Sequence, residues 1–148
     1  MGSYAPQGYG SSAGGASGAI LPTTGTAEDE AITVTVTMAN VLSFRLNQTV
    51  DTIITMKNTD AVKTLDFIIW GSPKDGVSAP IDADDSWYNI LNQVSTPSDY
   101  NASLSKTIPA LGIHRESLSN RFGWIRVQMK NNGTGTLTAK AWLRSTTP

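Results

Sequence analysis

Residues 122–144 read FGWIRVQMKNNGTGTLTAKAWLR, and no other run in the chain states its geometry as plainly. Ile125, Val127 and Met129 alternate with Arg126, Gln128 and Lys130. Further on, Leu137, Ala139, Ala141 and Leu143 alternate with Thr138, Lys140, Trp142 and Arg144. A period of two places successive side chains on opposite faces of a pleated strand, so each run has one apolar and one polar face. Between the runs lies Asn131-Asn132-Gly133, and Asn-Gly accepts the positive φ of a tight turn. The segment therefore predicts a β-hairpin.

The same alternation recurs upstream. Ile32, Val34, Val36 and Met38 face one way and Thr33, Thr35 and Thr37 the other, which predicts a strand over residues 32–38. Residues 50–56 and 62–70 predict two more strands. The second ends in the apolar run Phe67-Ile68-Ile69-Trp70, which suits a strand covered on both faces. Residues 71–76, rich in Gly, Ser, Pro and Asp, break the pattern. Trp87, Ile90, Leu91 and Val94 fall at helical spacing behind candidate caps Asp84, Asp85 and Ser86, although residues 86–91 also suit a short strand. Residues 103–108 alternate Leu104, Lys106 and Ile108 with polar neighbours up to Pro109, and His114 reads as a loop residue.

The first 27 residues contrast with all of this, because they hold no charged side chain. They are mostly Gly, Ser, Ala and Thr, with Tyr4, Tyr9, Ile20 and Leu21 as the few larger side chains. Such a segment buries too little apolar surface to offset its ordering entropy. It predicts an extended arm that orders against another protein chain, with those four residues as its anchors.

Composition narrows the function classes. Charged residues make up 16% of the 148, against about 25% in an average soluble domain, and the formal net charge is −1. With no basic run and no excess positive charge, nucleic acid is not an expected partner. The chain has no cysteine, so disulfides and thiolate metal sites are excluded. No apolar stretch approaches the roughly 20 residues that span a bilayer, and residues 1–27 lack the basic and apolar regions of a signal peptide. A soluble chain that does not enter a secretory route is expected.

Motifs with catalytic potential are few. Leu21-Pro22-Thr23-Thr24-Gly25 matches a sortase sorting signal, but it precedes acidic residues and a strand where that signal needs an apolar segment and a basic tail. His114 is the single histidine, and no serine sits in a nucleophile elbow. Asp82-Ala83-Asp84-Asp85 is the one acidic cluster; it lacks the glycine and terminal glutamate of an EF-hand, which leaves weak calcium binding open. Asp66, flanked by Leu65 and Phe67, alternates onto the face opposite them and reads as a surface or interface residue. Trp124 and Trp142 fall on polar strand faces beside Arg126 and Arg144, and together with Trp87 they are candidates for interface anchoring, for core packing or for stacking on sugars.

An arm rich in Gly and Ser, followed by a Thr-rich β domain ending in residues 121–143, resembles small structural proteins of tailed bacteriophage particles. The resemblance implies a non-enzymatic virion component made in the host cytoplasm: a capsid decoration (cement) protein, or part of the neck or tail. Its implied partners are the major capsid protein or other virion proteins and further copies of itself, without cofactor or membrane. A carbohydrate-binding module is the competing expectation. The expected architecture is all-β: an antiparallel β-sandwich of immunoglobulin-like or jelly-roll type over residues 28–148, behind the arm over residues 1–27.

Overall fold

The computed structural model describes residues 17–18, 30–46, 51–91, 105–119 and 122–146. They form ten strands and, among the described residues, no helix: β1 (Ser17–Gly18), β2 (Ile32–Val34), β3 (Ala39–Arg45), β4 (Asp51–Asn58), β5 (Leu65–Ser72), β6 (Tyr88–Asn89), β7 (Lys106–Ile108), β8 (Ile113–Ser119), β9 (Trp124–Asn131) and β10 (Leu137–Thr146). Sheet I runs β2–β10–β4–β8, with β1 also pairing β10. Sheet II runs β3–β9–β5, with β6 and β7 pairing β5. Every pairing is antiparallel.

The two sheets face each other across one apolar core. Leu42, Phe44, Phe67, Ile69, Ile125, Val127 and Met129 enter it from sheet II, and Ile54, Met56, Leu118, Leu137, Ala139, Ala141 and Leu143 from sheet I. The alternation in residues 122–144 thus points its apolar rows inward as expected, but the strands are not a hairpin. β9 pairs β3 and β5, whereas β10 pairs β2 and β4, so the chain crosses between sheets at residues 132–136. A period of two is identical in both cases: in a hairpin the two apolar rows share one face, and here they meet across the core. The crossing is closed by a side chain. Asn131, itself buried, donates from Nδ2 to the carbonyls of Thr134 at 3.0 Å and Gly135 at 3.2 Å. Its Oδ1 accepts from Gly133 N–H at 3.0 Å, and Gly135 supplies the positive φ of 72°.

Other boundaries shift for similar reasons. The strand expected over residues 32–38 ends at Val34, and the chain crosses to sheet II to begin β3, leaving Val36 exposed. A register shift between Asn40 and Leu42 marks a bulge in β3. Val62 belongs to the loop ahead of β5, whose hub is Asn58: its Nδ2 donates to the carbonyls of Lys63, Ile108 and Pro109 while Oδ1 accepts from Asp60 N–H. Residues 88–89 take the short-strand alternative and are not helical. The loop expected at His114 is instead strand β8.

All eight residues of β5 are buried, as a strand covered on both faces requires. Its inner face meets sheet I. Its outer face is covered by the irregular lobe of residues 73–87, which is where the polar chemistry of the molecule concentrates.

Candidate functional site

Four side chains on sheet II point outward beneath this lobe: Ile68 and Trp70 from β5, Trp124 and Arg126 from β9. Trp87 descends from the lobe and forms a second apolar cluster with Ile68, Trp70 and Trp124. The Arg126 guanidinium lies 4.1 Å from the Trp87 ring centroid and 5.9 Å from that of Trp70, within cation–π range of both. Its Nη1 donates to Asp82 Oδ1 at 2.6 Å. Asp82 Oδ1 also accepts from Asn40 Nδ2, Asn40 Oδ1 accepts from Gln128 Nε2, and Gln128 Oε1 accepts from Trp70 Nε1. Burial pushes the Arg126 guanidinium down to about 10, against the opposing pull of Asp82, so it is charged at neutral pH. This is a structural network that ties the lobe to the sheet, with Arg126 Nη1 bonded to Asp82 while Nε and Nη2 lie buried without a hydrogen bond.

The rest of the lobe is pinned in the same manner. Trp87 Nε1 donates to the Ile81 carbonyl and Trp124 Nε1 to the Gly76 carbonyl. Gly123 has no room for a side chain, since a Cβ there would lie 2.0 Å from the Lys74 carbonyl oxygen. Lys74 Nζ donates to Asp84 Oδ2 at 2.6 Å, and Ser86 N–H donates to Asp84 Oδ1 at 2.8 Å. The Lys74 hydrogen bond, then those from Ser86, hold the Asp84 carboxyl down to about 2. A carboxyl lowered in the folded state stabilises the fold above its unfolded value, about 3.9, and that contribution is lost as pH falls through the folded value. Wild type is therefore expected to exceed Asp84→Asn in stability at neutral pH, and the two are expected to converge between pH 4 and about pH 2, read from denaturant midpoints at each pH.

The sequence-derived candidates separate into three groups. Trp87, Trp124 and Arg126 are buried within the chain and serve the lobe, which places them in the core role and away from any surface. Trp142 and Arg144 lie on the outer face of sheet I, Trp142 partly buried and Arg144 exposed. Tyr4, Tyr9, Ile20 and Leu21, and the Leu21–Gly25 match, fall outside the described residues. Asp66 is on the face opposite Leu65 and Phe67 as expected, yet it is buried and accepts at 2.6 Å from Oγ1 of Thr107, its register partner on the neighbouring strand β7. Asp82 and Asp84 turn toward Arg126 and Lys74, and no group of three or more acidic or histidine side chains gathers as a metal cluster among the described residues. His114 points inward at the edge of the core, 4.8 Å from the Phe67 ring and 3.0 Å from Glu116 Oε1.

Sequence reasoning missed the end of the sandwich where chain crossings gather. Loops 59–64 and 109–112 meet there through Leu111 N–H to the Asp60 carbonyl, and loop 132–136 joins through Asn132 N–H to the Thr64 carbonyl. Three apolar side chains stand exposed at this end: Val36, Val62 (84% exposed) and Leu111 (62%). Leu111 is also the one non-glycine described residue with positive φ, at 58°. It occupies the third position of a turn closed by Gly112 N–H to the Pro109 carbonyl, where glycine is favoured. Gly112 cannot exchange places with it, since a Cβ at 112 would come within 2.9 Å of Pro109. A bulky residue in this conformation costs roughly 1–2 kcal/mol, and here most of its surface stays in solvent. Leu111→Gly is expected to leave the melting temperature unchanged or higher, whereas Leu42→Ala in the core costs about 2–5 kcal/mol. A fall of several degrees for Leu111→Gly would mean that the side chain serves the fold.

A cleft of about 310 Å³ opens between β2 and β3, lined by Ile32, Val34, Thr35, Val41 and Met129 among others, with no ionisable side chain in its wall. Comparison with protein-family models, with curated proteins and with solved structures returned no match.

Proposed function

We propose that this chain is a non-enzymatic structural protein of a bacteriophage particle, a capsid decoration protein whose jelly-roll domain docks on the shell while its N-terminal arm binds neighbouring subunits. The observation that carries the reading is the way the long strands interleave. From β2 to β5, and again from β8 to β10, each successive strand crosses to the other sheet, giving the orders β2–β10–β4–β8 and β3–β9–β5–β6. That interleaving supports a jelly roll over an immunoglobulin-like sandwich, and jelly rolls recur in viral capsid domains, lectins and cupins. A cupin-type metal centre needs several histidines, and this sequence has one. A sugar platform built on Trp87 and Trp124 is disfavoured by their burial, which leaves Trp142 as the candidate for that alternative.

The strained Leu111 with Val62 and Val36 supports a docking role for that end of the sandwich: an exposed apolar group held at a cost to the fold is accounted for by a partner. The short pairing of Ser17–Gly18 with Ser145 and Thr146 supports an arm that acts by adding strand to a sheet edge. Quantitative mass spectrometry of purified particles tests the reading. A copy number comparable to the shell protein supports decoration, and a small ring-like number moves the chain to the neck or tail. Absence from particles, together with saturable glycan binding that Trp142→Ala abolishes, would replace the reading with a carbohydrate-binding module.

A further inference from the structure

We infer that the outer face of sheet I binds the acidic lobe of a second copy, so that the sandwiches stack through two different surfaces. The register of sheet I builds the first surface. Lys140, Lys57 and Ile113 form one outward row, Trp142, Thr55 and Arg115 the next, and Arg144, Ile53 and Ser117 the third. Four of the chain's eleven cations thus share one sheet face. Arg115 is exposed, and Ile53 and Ile113 are each nearly half exposed in the middle of this charge.

The second surface lies on the opposite side of the sandwich. The lobe carries Asp75, Asp82, Asp84 and Asp85 against Lys74 within it and the underlying Arg45 and Arg126. Asp75 and Asp82 keep about two-thirds of their side chains open to solvent while pairing with those arginines, and Asp85 is exposed. Between these carboxylates Val77 and Ile81 are among the most exposed apolar side chains of the chain. Counted with Lys74, Arg45 and Arg126, the lobe's four aspartates leave one net negative charge, with the carboxylates of Asp75, Asp82 and Asp85 turned to solvent. The sheet I face carries four positive charges, so the two surfaces offer apolar groups among charges of opposite net sign.

Geometry excludes the simpler assembly. A two-fold dimer through sheet I would set Lys57, Lys140, Arg115 and Arg144 against the same four cations, and like charges in apposition cost several kcal/mol. A lobe-to-lobe dimer sets aspartates against aspartates. Basic face to acidic lobe is the arrangement both surfaces satisfy, and a head-to-tail contact of this kind closes into a ring or extends as a stack. It does not depend on the assembly being a virus particle.

Sedimentation velocity of the full chain tests this. Self-association is expected at ~0.01 M salt and is expected to weaken at least tenfold at ~1 M, where the Debye length falls from about 30 to 3 Å. Lys57→Glu/Arg115→Glu cancels the net positive charge of the sheet I face and leaves the lobe acidic, and Asp75→Lys/Asp85→Lys makes both surfaces basic. Each double variant is expected to be monomeric alone, with an unchanged circular dichroism spectrum, and a mixture of the two is expected to form a 1:1 complex. A wild type that stays monomeric at low salt overturns the inference, and so does a mixture that fails to associate. Binding of a single-stranded oligonucleotide lost in Lys57→Glu/Arg115→Glu, without self-association, overturns it in favour of a nucleic-acid partner. Association through the charge-free arm would be insensitive to both exchanges, which separates failure here from failure of the arm.

Discussion

Trp87→Ala is expected to cost about 3–5 kcal/mol and to lower the melting temperature by roughly 10–20 °C, while Trp142→Ala costs under about 1 kcal/mol. Both tryptophans sit beside cations, but their surroundings differ. Trp87 is 1% exposed, its ring stacks on Arg126 and its Nε1–H is bonded to the Ile81 carbonyl. Removing it opens a large cavity beside a guanidinium and unties the lobe at its centre. Trp142 covers Thr55 on a solvated sheet face, where its loss leaves no enclosed void. Urea denaturation of the two variants measures the difference. Hydrogen exchange should show amides of residues 74–88 opening first in Trp87→Ala while β4 and β10 stay protected. Equal costs for the two variants would mean that the lobe contributes little to the fold.

The contrast between these tryptophans marks how far the sequence is legible. Period two placed both Trp124 and Trp142 on the faces turned away from the core, and that is where they lie. It carried no information on what covers such a face. Sheet II receives a lobe drawn from residues far away in the chain, so Trp124 and Arg126 are buried, whereas the outer face of sheet I keeps Arg144 and Arg115 exposed. The burial of residues 67–70 on both faces was the one local sign of that cover. The hairpin reading failed on the same kind of fact, since Asn131-Asn132-Gly133 specifies a turn and is silent on whether the next strand pairs with the last or crosses the core.

Strands β3 and β8 went unread because their alternation is impure. β3 carries a bulge at Val41, which moves Leu42 and Phe44 out of phase with Ala39. β8 sends His114 and Glu116 inward at an edge, where half-burial accepts polar groups and the apolar row is broken. The exposed Leu111 left no sequence signal beyond Gly112 beside it, and the residue bearing the positive φ is the leucine. Surfaces made of residues distant in sequence, such as the rows of sheet I, become visible only once register is known.

Deletion of residues 1–27 is expected to leave the domain folded and to abolish incorporation into particles. The buried apolar residues described run from Val34 to Leu143, so the truncation removes none of them. What it removes from the described sheets is the two-residue ladder of Ser17–Gly18 against β10, at the end of that strand. Losing so short a pairing should change stability by no more than about 1 kcal/mol, as with other backbone hydrogen bonds at a solvated edge. The arm's contribution to the proposed docking is expected to be of another order. In the proposed decoration role, a charge-free arm rich in Gly and Ser would add its contacts to those of the apolar end around Leu111, and two such linked sites are expected to exceed either alone in affinity by about 10²–10⁴-fold. Competition between full-length and truncated chains for stripped particles reads this directly, with the truncated chain expected to be displaced almost completely. Equal occupancy by the two chains would remove the arm from the mechanism and leave docking to the domain's own surfaces. A truncated chain that no longer folds would show that residues 1–27 are part of the sandwich itself, with the β1 pairing as the visible end of a larger contact.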